Sequence, residues 1–153
     1  MAVDRAQAHA VVGERLRDAG QLYTSGRREL VDLLLDIGRP ATMADVLGQR
    51  PSLVQSSVYR NMADLERTGL VRRVAGSDEL IRVELAEEII GHHHHLVCTQ
   101  CGTVADFTVP EAAERALRDA LQRIAREGSF VPEDHRLDVL GRCRPCSREQ
   151  PPK

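Results

Sequence analysis

The stretch GHHHHLVCTQCGTVADF, residues 91–107, decides how the C-terminal half of this chain folds. Its cysteines, Cys98 and Cys101, form a Cys-x-x-Cys pair, and a second pair, Cys143 and Cys146, follows near the C-terminus. A gap of two residues lets both sulfurs of a pair bind one ion, and two pairs complete a closed tetrahedral zinc site. The sequence therefore predicts a structural Zn²⁺ held by four thiolates.

A redox-active pair and two buried disulfides are the alternatives for these cysteines. A redox Cys-x-x-Cys pair normally lies at a helix N-terminus that follows a strand. Here Cys101 runs into Gly102 and a second strand-like segment, which favours structural zinc.

The histidine run, residues 92–95, precedes the first cysteine pair directly. On a strand, alternate side chains face opposite sides, so His93 and His95 share one face and His92 and His94 share the other. Each pair is half of a metal site; imidazoles bind zinc, iron, nickel or copper, and added carboxylates favour iron or manganese. A solvated surface patch is the alternative, and an expression tag is disfavoured because the run is internal.

Length and composition limit the classes of protein that this chain can be. A chain of 153 residues without tryptophan is one large domain or two small ones, and small domains often depend on a metal, disulfides or oligomerisation. No apolar run reaches the ~18 residues of a membrane span and no signal peptide is visible, so we expect a cytoplasmic protein with no membrane partner and reduced thiols. The net charge of −2 gives no global sign of nucleic-acid binding, which would depend on locally placed arginines.

The N-terminal half alternates helical spacing with breakers. The pattern predicts helices over 6–19, 27–37, 43–47 and 54–68, followed by strands over 70–74 and 80–85. Three helices followed by a hairpin is the order of a winged helix-turn-helix, in which the helix over 54–68 reads DNA. A small helical bundle with an added hairpin is the alternative.

In the C-terminal half, strands are predicted over 92–97, 103–107 and 137–140, and a helix over 110–126. The predicted fold class is α+β: a winged-helix DNA-binding domain followed by an α/β dimerisation domain with the four-cysteine zinc site. The predicted divisions are the DNA-binding domain, hinge, metal-binding dimerisation domain and tail, at 1–85, 86–91, 92–148 and 149–153.

The segment HHHHLVCTQCGTVADF, followed by a helix and by His135 eight residues before Cys143, resembles the dimerisation domain of the ferric-uptake-regulator family. The N-terminal segments YTSGRRELV (23–31) and SSVYRNMADLERTGLV (56–71) resemble the DNA-binding domain of that family. The resemblance covers about residues 10–147. It implies a non-enzymatic, metal-responsive repressor of metal-homeostasis genes, a homodimer that binds palindromic double-stranded DNA and no small organic substrate.

The resemblance implies a regulatory metal site at the hinge, with the ligands Glu84, His93, His95 and Asp106. The family's further histidine from the DNA-binding domain is replaced here by Arg39-Pro40. Zinc-sensing relatives use an aspartate where this chain has Arg72, and a wing cysteine that this chain lacks. The regulatory metal, Zn²⁺ or Fe²⁺/Mn²⁺, is therefore left open.

A second regulatory site is implied on the other face of the histidine run. His92, His94 and His135 match the family's histidine ligands. The family's helix glutamate is replaced by Ala113, and Glu111 or Glu114 lie near enough to substitute.

The resemblance also implies residues that contact DNA. Tyr59 and Arg60 match a pair that contacts a base and the phosphate backbone, and Arg27 matches a backbone-contacting arginine. Three polar residues at the start of the recognition helix would approach base edges: Gln55, Ser56 and Ser57. Packing of Tyr59 inside its domain, with Arg60 as a solvated charge, is the alternative.

Three other functions remain open from the sequence. A zinc-dependent hydrolase would use His92, His94 and His135, but it needs an open coordination position, a cleft and a general base. A zinc-ribbon adaptor would need only the cysteines. A peroxide-sensing repressor would belong to the same family.

Overall fold

Four helices form the N-terminal part of the protein, which is described for residues 3–148 in a computed structural model; the predicted tail over 149–153 lies outside these residues. Their starts follow the expected capping chemistry: the Asp4 side chain accepts from the N–H of Ala6, and Thr42 forms a capping box with Asp45. The helices are α1 (Arg5–Asp18), α2 (Ser25–Ile37), α3 (Met43–Gln49) and α4 (Gln55–Arg67).

The apolar stripes of these helices meet in one core. Leu16, Leu30 and Leu65 are each at most 1% exposed, and α2 packs against both α1 and α4. Full burial of one such leucine contributes roughly 1.5–3 kcal/mol. The helical periodicity therefore identifies the faces that hold the N-terminal helices together.

A three-stranded antiparallel sheet follows, in the order β1-β3-β2, with strands β1 (Ala41–Thr42), β2 (Val71–Ala75) and β3 (Ile81–Leu85). The hairpin β2–β3 is the predicted wing, and each of its strands begins within one residue of the prediction. The sequence does not predict β1, because two residues carry no alternation.

The segment predicted as a hinge contains a short helix, α5 (Glu87–Ile90). Its Ile89 is 7% exposed and belongs to the core of the N-terminal helices. Four residues show no helical period, so the pattern indicated only a linker.

The C-terminal part is a second sheet with one long helix. Strands β4 (His94–Cys98), β5 (Val104–Phe107) and β6 (Asp138–Gly141) lie in the order β5-β4-β6, with β4 antiparallel to β5 and parallel to β6. The crossover between β5 and β6 contains α6 (Glu111–Glu127), and α7 (Arg144–Arg148) follows β6. The predicted α+β fold class is confirmed, and β4 occupies the middle of its sheet.

Apolar side chains remain exposed on the C-terminal part. Helix α6 buries no residue, and Ile124 and Phe130 are 64% and 69% exposed. Within residues 3–148, no helix combines the length and apolar character needed to cross a bilayer.

Candidate metal centres and nucleic-acid interface

The four cysteines converge at one end of the second sheet; we name them the thiol cluster. Cys98 ends β4, Cys101 lies in the turn before β5, and Cys143 and Cys146 lie around the start of α7. Their sulfurs lie within 4.8 Å of one another, and all four are free thiols. The turn is possible because Gly102 adopts a φ of +71°.

Electrostatics in the thiol cluster suit a cation. The backbone N–H groups of Cys143, Cys101 and Gln100 lower the pKa of the Cys98 thiol to about 6. In contrast, the contact of Cys146 with Cys143, together with burial, raises the pKa of the Cys146 thiol. Four sulfurs this close cannot all carry a negative charge without a compensating ion, and four thiolates are the ligand set of structural zinc.

A second group, the helix cluster, lies between β4 and α6. Its ligand atoms lie within 4.8 Å of one another and come from His92, His94, Glu114 and His135. His94 Nε2 is 2.9 Å from Glu114 Oε2, while His92 Nε2 and His135 Nε2 are 3.2 and 3.0 Å from Glu114 Oε1.

The polar atoms in the middle of the helix cluster are unpartnered, although they are buried. His92 Nε2, His135 Nε2 and Glu114 Oε1 are close together without hydrogen-bond geometry. A buried polar atom without a partner costs roughly 1–3 kcal/mol, so three such atoms aimed at one point fit a bound cation.

The structure distinguishes the two glutamates that the sequence left open. Glu114 is 12% exposed and faces the histidines, whereas Glu111 is 84% exposed and pairs with Arg115 at 2.7 Å. Glu111 is therefore not brought to the helix cluster. Glu111 and Glu114 are three residues apart and lie on neighbouring turns of α6, but of the two only Glu114 faces β4.

The third group, the hinge cluster, joins the wing to the second sheet. It contains Glu84 from β3, His93 and His95 from the histidine run, and Asp106 from β5, with ligand atoms within 4.8 Å of one another. Glu84 Oε2 is 3.2 Å from His93 Nε2 and 3.3 Å from His95 Nε2. Glu84 is 3% exposed, so this carboxylate is buried between the two parts of the chain.

The outer nitrogens of the hinge-cluster histidines have partners. His93 Nδ1 donates to the carbonyl of Gly91 at 2.9 Å, and His95 Nδ1 donates to Asp138 at 3.2 Å. Such bonds orient each ring so that its Nε2 points at Glu84, where a metal would bind. The hydrogen bond with Glu84 raises the pKa of His93 to about 8.

An arginine also enters the hinge cluster. Arg72 of β2 donates from Nε to Glu84 Oε1 at 2.5 Å and from Nη1 to Glu87 Oε1 at 2.7 Å. Burial acts to raise the pKa of Glu84, but hydrogen bonds with His93, His95 and Arg72 outweigh burial and lower it. Arg39, which stands where a further histidine ligand was expected, lies 3.6 Å from Asp45.

Helix α4 presents the residues expected to contact DNA. Its buried face holds Val58, Met62 and Leu65. Tyr59 is 47% exposed, so it does not pack inside the domain, and Arg60 is exposed with no ion pair among residues 3–148. The polar residues at the start of the helix are also exposed: Gln55, Ser56 and Ser57.

Arg27 lies elsewhere. Its guanidinium pairs with Asp64 of α4 at 2.6 Å and donates to the carbonyl of Leu22 at 2.6 Å, and its side chain is 11% exposed. The structure therefore assigns it to the contact between α2 and α4 and not to the exposed surface expected for a phosphate contact.

Sequence reasoning missed Glu87, which contacts both Arg72 and His92. Its Oε2 accepts from His92 Nδ1 at 2.8 Å. No spacing rule indicates this contact, because it depends on the α5 turn bringing the carboxylate back to the histidine run.

Comparison with known proteins finds relatives of similar sequence along most of the chain. The chain is 29% identical over 145 residues to the ferric uptake regulation protein of Bacillus subtilis (strain 168), covering 91% of this chain and 94% of the relative. It is 26% identical over 141 residues to the peroxide operon regulator of the same organism, covering 90% and 92%.

Solved structures show the same fold. The ferric uptake regulator of Helicobacter pylori superimposes with a TM-score of 0.71 at 21% identity, covering 95% of both chains. The regulator of Pseudomonas aeruginosa with manganese gives 0.68 at 27% identity, covering 88% of this chain and 98% of that chain. The model of the ferric uptake regulator family matches residues 18–140. This chain belongs to the ferric uptake regulator family.

Proposed function

We propose that this protein is a metal-responsive transcriptional repressor that binds double-stranded DNA as a homodimer and controls metal-homeostasis genes. One observation carries the proposal: the hinge cluster takes Glu84 from the wing and His93, His95 and Asp106 from the second sheet. A cation held by these side chains would connect the DNA-binding part to the rest of the molecule.

The three clusters divide the metal chemistry between them. The thiol cluster would hold a structural Zn²⁺, and the hinge and helix clusters would hold a regulatory divalent metal, Zn²⁺ or Fe²⁺/Mn²⁺. A bound divalent cation supplies positive charge that draws the carboxylates and imidazoles of each cluster together. The mixed nitrogen and oxygen ligands of both regulatory clusters are compatible with any of these metals.

Metal binding would act by selecting one orientation of the wing. Glu84 keeps its place on β3 while the histidines keep theirs on the second sheet, so joining them restricts the domain angle. If only a fraction of molecules has the binding-competent angle, apparent DNA affinity falls by that fraction, and metal removes the loss.

DNA contact would come from the exposed side of α4. Tyr59 and Arg60 lie beside the exposed N-terminal residues of the helix, in the arrangement of a recognition helix in the major groove. The exposed apolar side chains of the α6 region, including Ile124 and Phe130, suit burial against a second copy. A two-fold dimer presents two such helices, and for that reason we propose a palindromic operator.

A hydrolase that uses the helix cluster is disfavoured. Glu114 joins the three histidines and gives four ligand groups, which leaves no ligand position open in a tetrahedral site. Peroxide-responsive repression is the second candidate, favoured by the likeness to the peroxide operon regulator.

Fluorescence anisotropy with a labelled palindromic duplex from the gene's own upstream region tests the proposal. We expect tight binding with Mn²⁺, Fe²⁺ or Zn²⁺ and at least ~10-fold weaker binding after chelation of the regulatory metal. Loss of binding after peroxide treatment of the Fe²⁺ form alone would select the second candidate. Equal DNA affinity with and without metal would contradict both.

A further inference from the structure

A chain of ion pairs connects the hinge cluster to the helix cluster. The Arg72 guanidinium contacts Glu84 of the hinge cluster through Nε and Glu87 on α5 through Nη1. Glu87 in turn accepts from Nδ1 of His92, whose Nε2 faces the helix cluster. Each link is 2.5–2.8 Å long, so a continuous chain of polar contacts through Arg72 and Glu87 joins the two clusters on opposite faces of the histidine run.

The link between Glu87 and His92 has the form that orients a metal ligand. A histidine that binds a metal through one nitrogen usually donates the other N–H to a carboxylate, which fixes the ring and makes it a better ligand. Glu87 supplies that carboxylate to His92 and is not itself within the group of ligand atoms.

The link through Arg72 extends this orientation to the wing. Arg72 lies on β2, directly paired with Glu84 on β3, and its side chain is 32% exposed. The side chain of Glu87 is 24% exposed, so both charges are partly shielded from solvent and from salt. Fixing Glu87 restricts Arg72, and fixing Arg72 restricts the Glu84 carboxylate.

We propose that Arg72 and Glu87 are positioning residues that couple the two clusters, so that a divalent cation in the helix cluster raises the affinity of the hinge cluster for a second cation. The coupling is positive because the first cation orders His92, Glu87 and Arg72 before the second one binds. By linkage, the hinge cation raises the affinity of the helix cluster equally. This inference rests on the proposed function of both clusters as metal sites.

Titration of the full-length, zinc-containing chain with Co²⁺ tests the coupling, with the Co²⁺ absorption spectrum as the readout. The hinge-cluster affinity is measured in the wild-type chain, where the helix cluster is also filled, and in His135→Ala, where that cluster is disabled. We expect the wild-type hinge affinity to be higher by a factor within the usual allosteric range of ~5–150. Glu114→Gln serves as a second disabling variant if His135→Ala does not fold.

Bridge variants repeat the pair of titrations. In Glu87→Gln and Arg72→Gln backgrounds, the ratio of hinge affinities should fall to about one. Arg72→Lys should restore part of the ratio, because it retains a charge but not the two-directional guanidinium.

Matched controls separate coupling from general damage. Glu88→Gln removes the neighbouring carboxylate of α5, which pairs with Arg15, and Arg73→Gln removes the neighbouring arginine of β2, which pairs with Glu66. Both controls should keep the wild-type ratio and a Tm within a few degrees of the wild type, and every variant that is compared should keep its zinc content.

A ratio of about one in the wild-type chain, or a ratio in Glu87→Gln equal to that of the wild type, would overturn the proposed coupling through Glu87. Metal-dependent DNA binding in the same preparation distinguishes this failure from failure of the proposed function. If the two sites are independent but DNA binding still requires metal, only the coupling is wrong. If DNA binding does not require metal, the proposed regulatory function is wrong as well.

Discussion

At the residue scale, the alternation of the histidine run determines which side chains share a cluster. His92 and His94 face α6, and His93 and His95 face the wing, as strand geometry predicts, although His92 and His93 precede the strand itself. The glutamate of the helix cluster was not predictable in the same way. Its identity depends on the rotation of α6 against β4, which the spacing of two nearby glutamates does not specify.

Replacing Glu114 with alanine should weaken Mn²⁺ or Zn²⁺ binding to the helix cluster by ~10-fold or more. The carboxylate lies within 3.2 Å of the Nε2 atoms of all three histidines. Isothermal titration calorimetry measures the change. Glu111→Ala is the control, since Glu111 is exposed and pairs with Arg115; equal losses in both variants would show that Glu114 is not a ligand.

Arg60 and Arg27 were both expected to contact DNA, but we predict that their alanine variants have different effects. Arg60→Ala should reduce DNA affinity and lower the salt slope by about one, with the Tm unchanged, because Arg60 is exposed. Arg27→Ala should instead lower the free energy of unfolding by roughly 1–3 kcal/mol, because it removes the hydrogen bonds from Arg27 to Asp64 and to the carbonyl of Leu22, although Asp64 keeps its ion pair with Arg67. Anisotropy at several salt concentrations and thermal denaturation make the comparison; a smaller salt slope with unchanged Tm for Arg27→Ala would contradict the assignment.

At the element scale, the longer helices and the wing were predictable, and the shortest elements were not. Helix α2 and helix α4 carry several turns of apolar periodicity. In contrast, β1, α5 and α7 are two to five residues long and show no period. Their formation depends on tertiary contacts, such as the burial of Ile89 and Cys146.

The tip of the wing packs on the turn of the first cysteine pair. Ser77 donates to the carbonyl of Cys98 at 2.5 Å, and Asp78 pairs with Arg82 at 2.6 Å beside Gly102. A Cβ at Gly102 would lie 2.0 Å from Asp78 Oδ2. The wing and the thiol cluster are therefore in direct contact.

Gly102→Ala should lower the Tm, because it adds a steric clash to the roughly 1–2 kcal/mol cost of a left-handed alanine. Differential scanning calorimetry measures the effect. Gly48→Ala is the matched control: no heavy atom lies within 4 Å of its added Cβ. A helical alanine there should stabilise the protein by roughly 0.5–1 kcal/mol. A Tm for Gly102→Ala equal to that of the wild type would show that the wing does not pack on this turn.

At the scale of the whole molecule, the second sheet has little apolar core of its own. Among residues 3–148, the buried apolar cluster of the second sheet consists of Val97 and Val104, together with Val74 from the wing. Length and composition indicated a dependence on a metal, disulfides or oligomerisation, and the four sulfurs converge where such a core is absent. The resemblance predicted the contact of Glu84 with His93 and His95 between the wing and the second sheet, but the contacts of Arg72 and Glu87 at the same junction follow no motif and were not predictable.

The central claim is that metal at the junction of the wing and the second sheet controls DNA binding. Fluorescence anisotropy of His93→Ala/His95→Ala on the palindromic duplex, with and without regulatory metal, tests it most directly. We predict that metal no longer increases DNA affinity, while the zinc content stays close to that of the wild type, because the thiol cluster is separate. Metal-dependent DNA binding of wild-type strength in this variant would contradict the account.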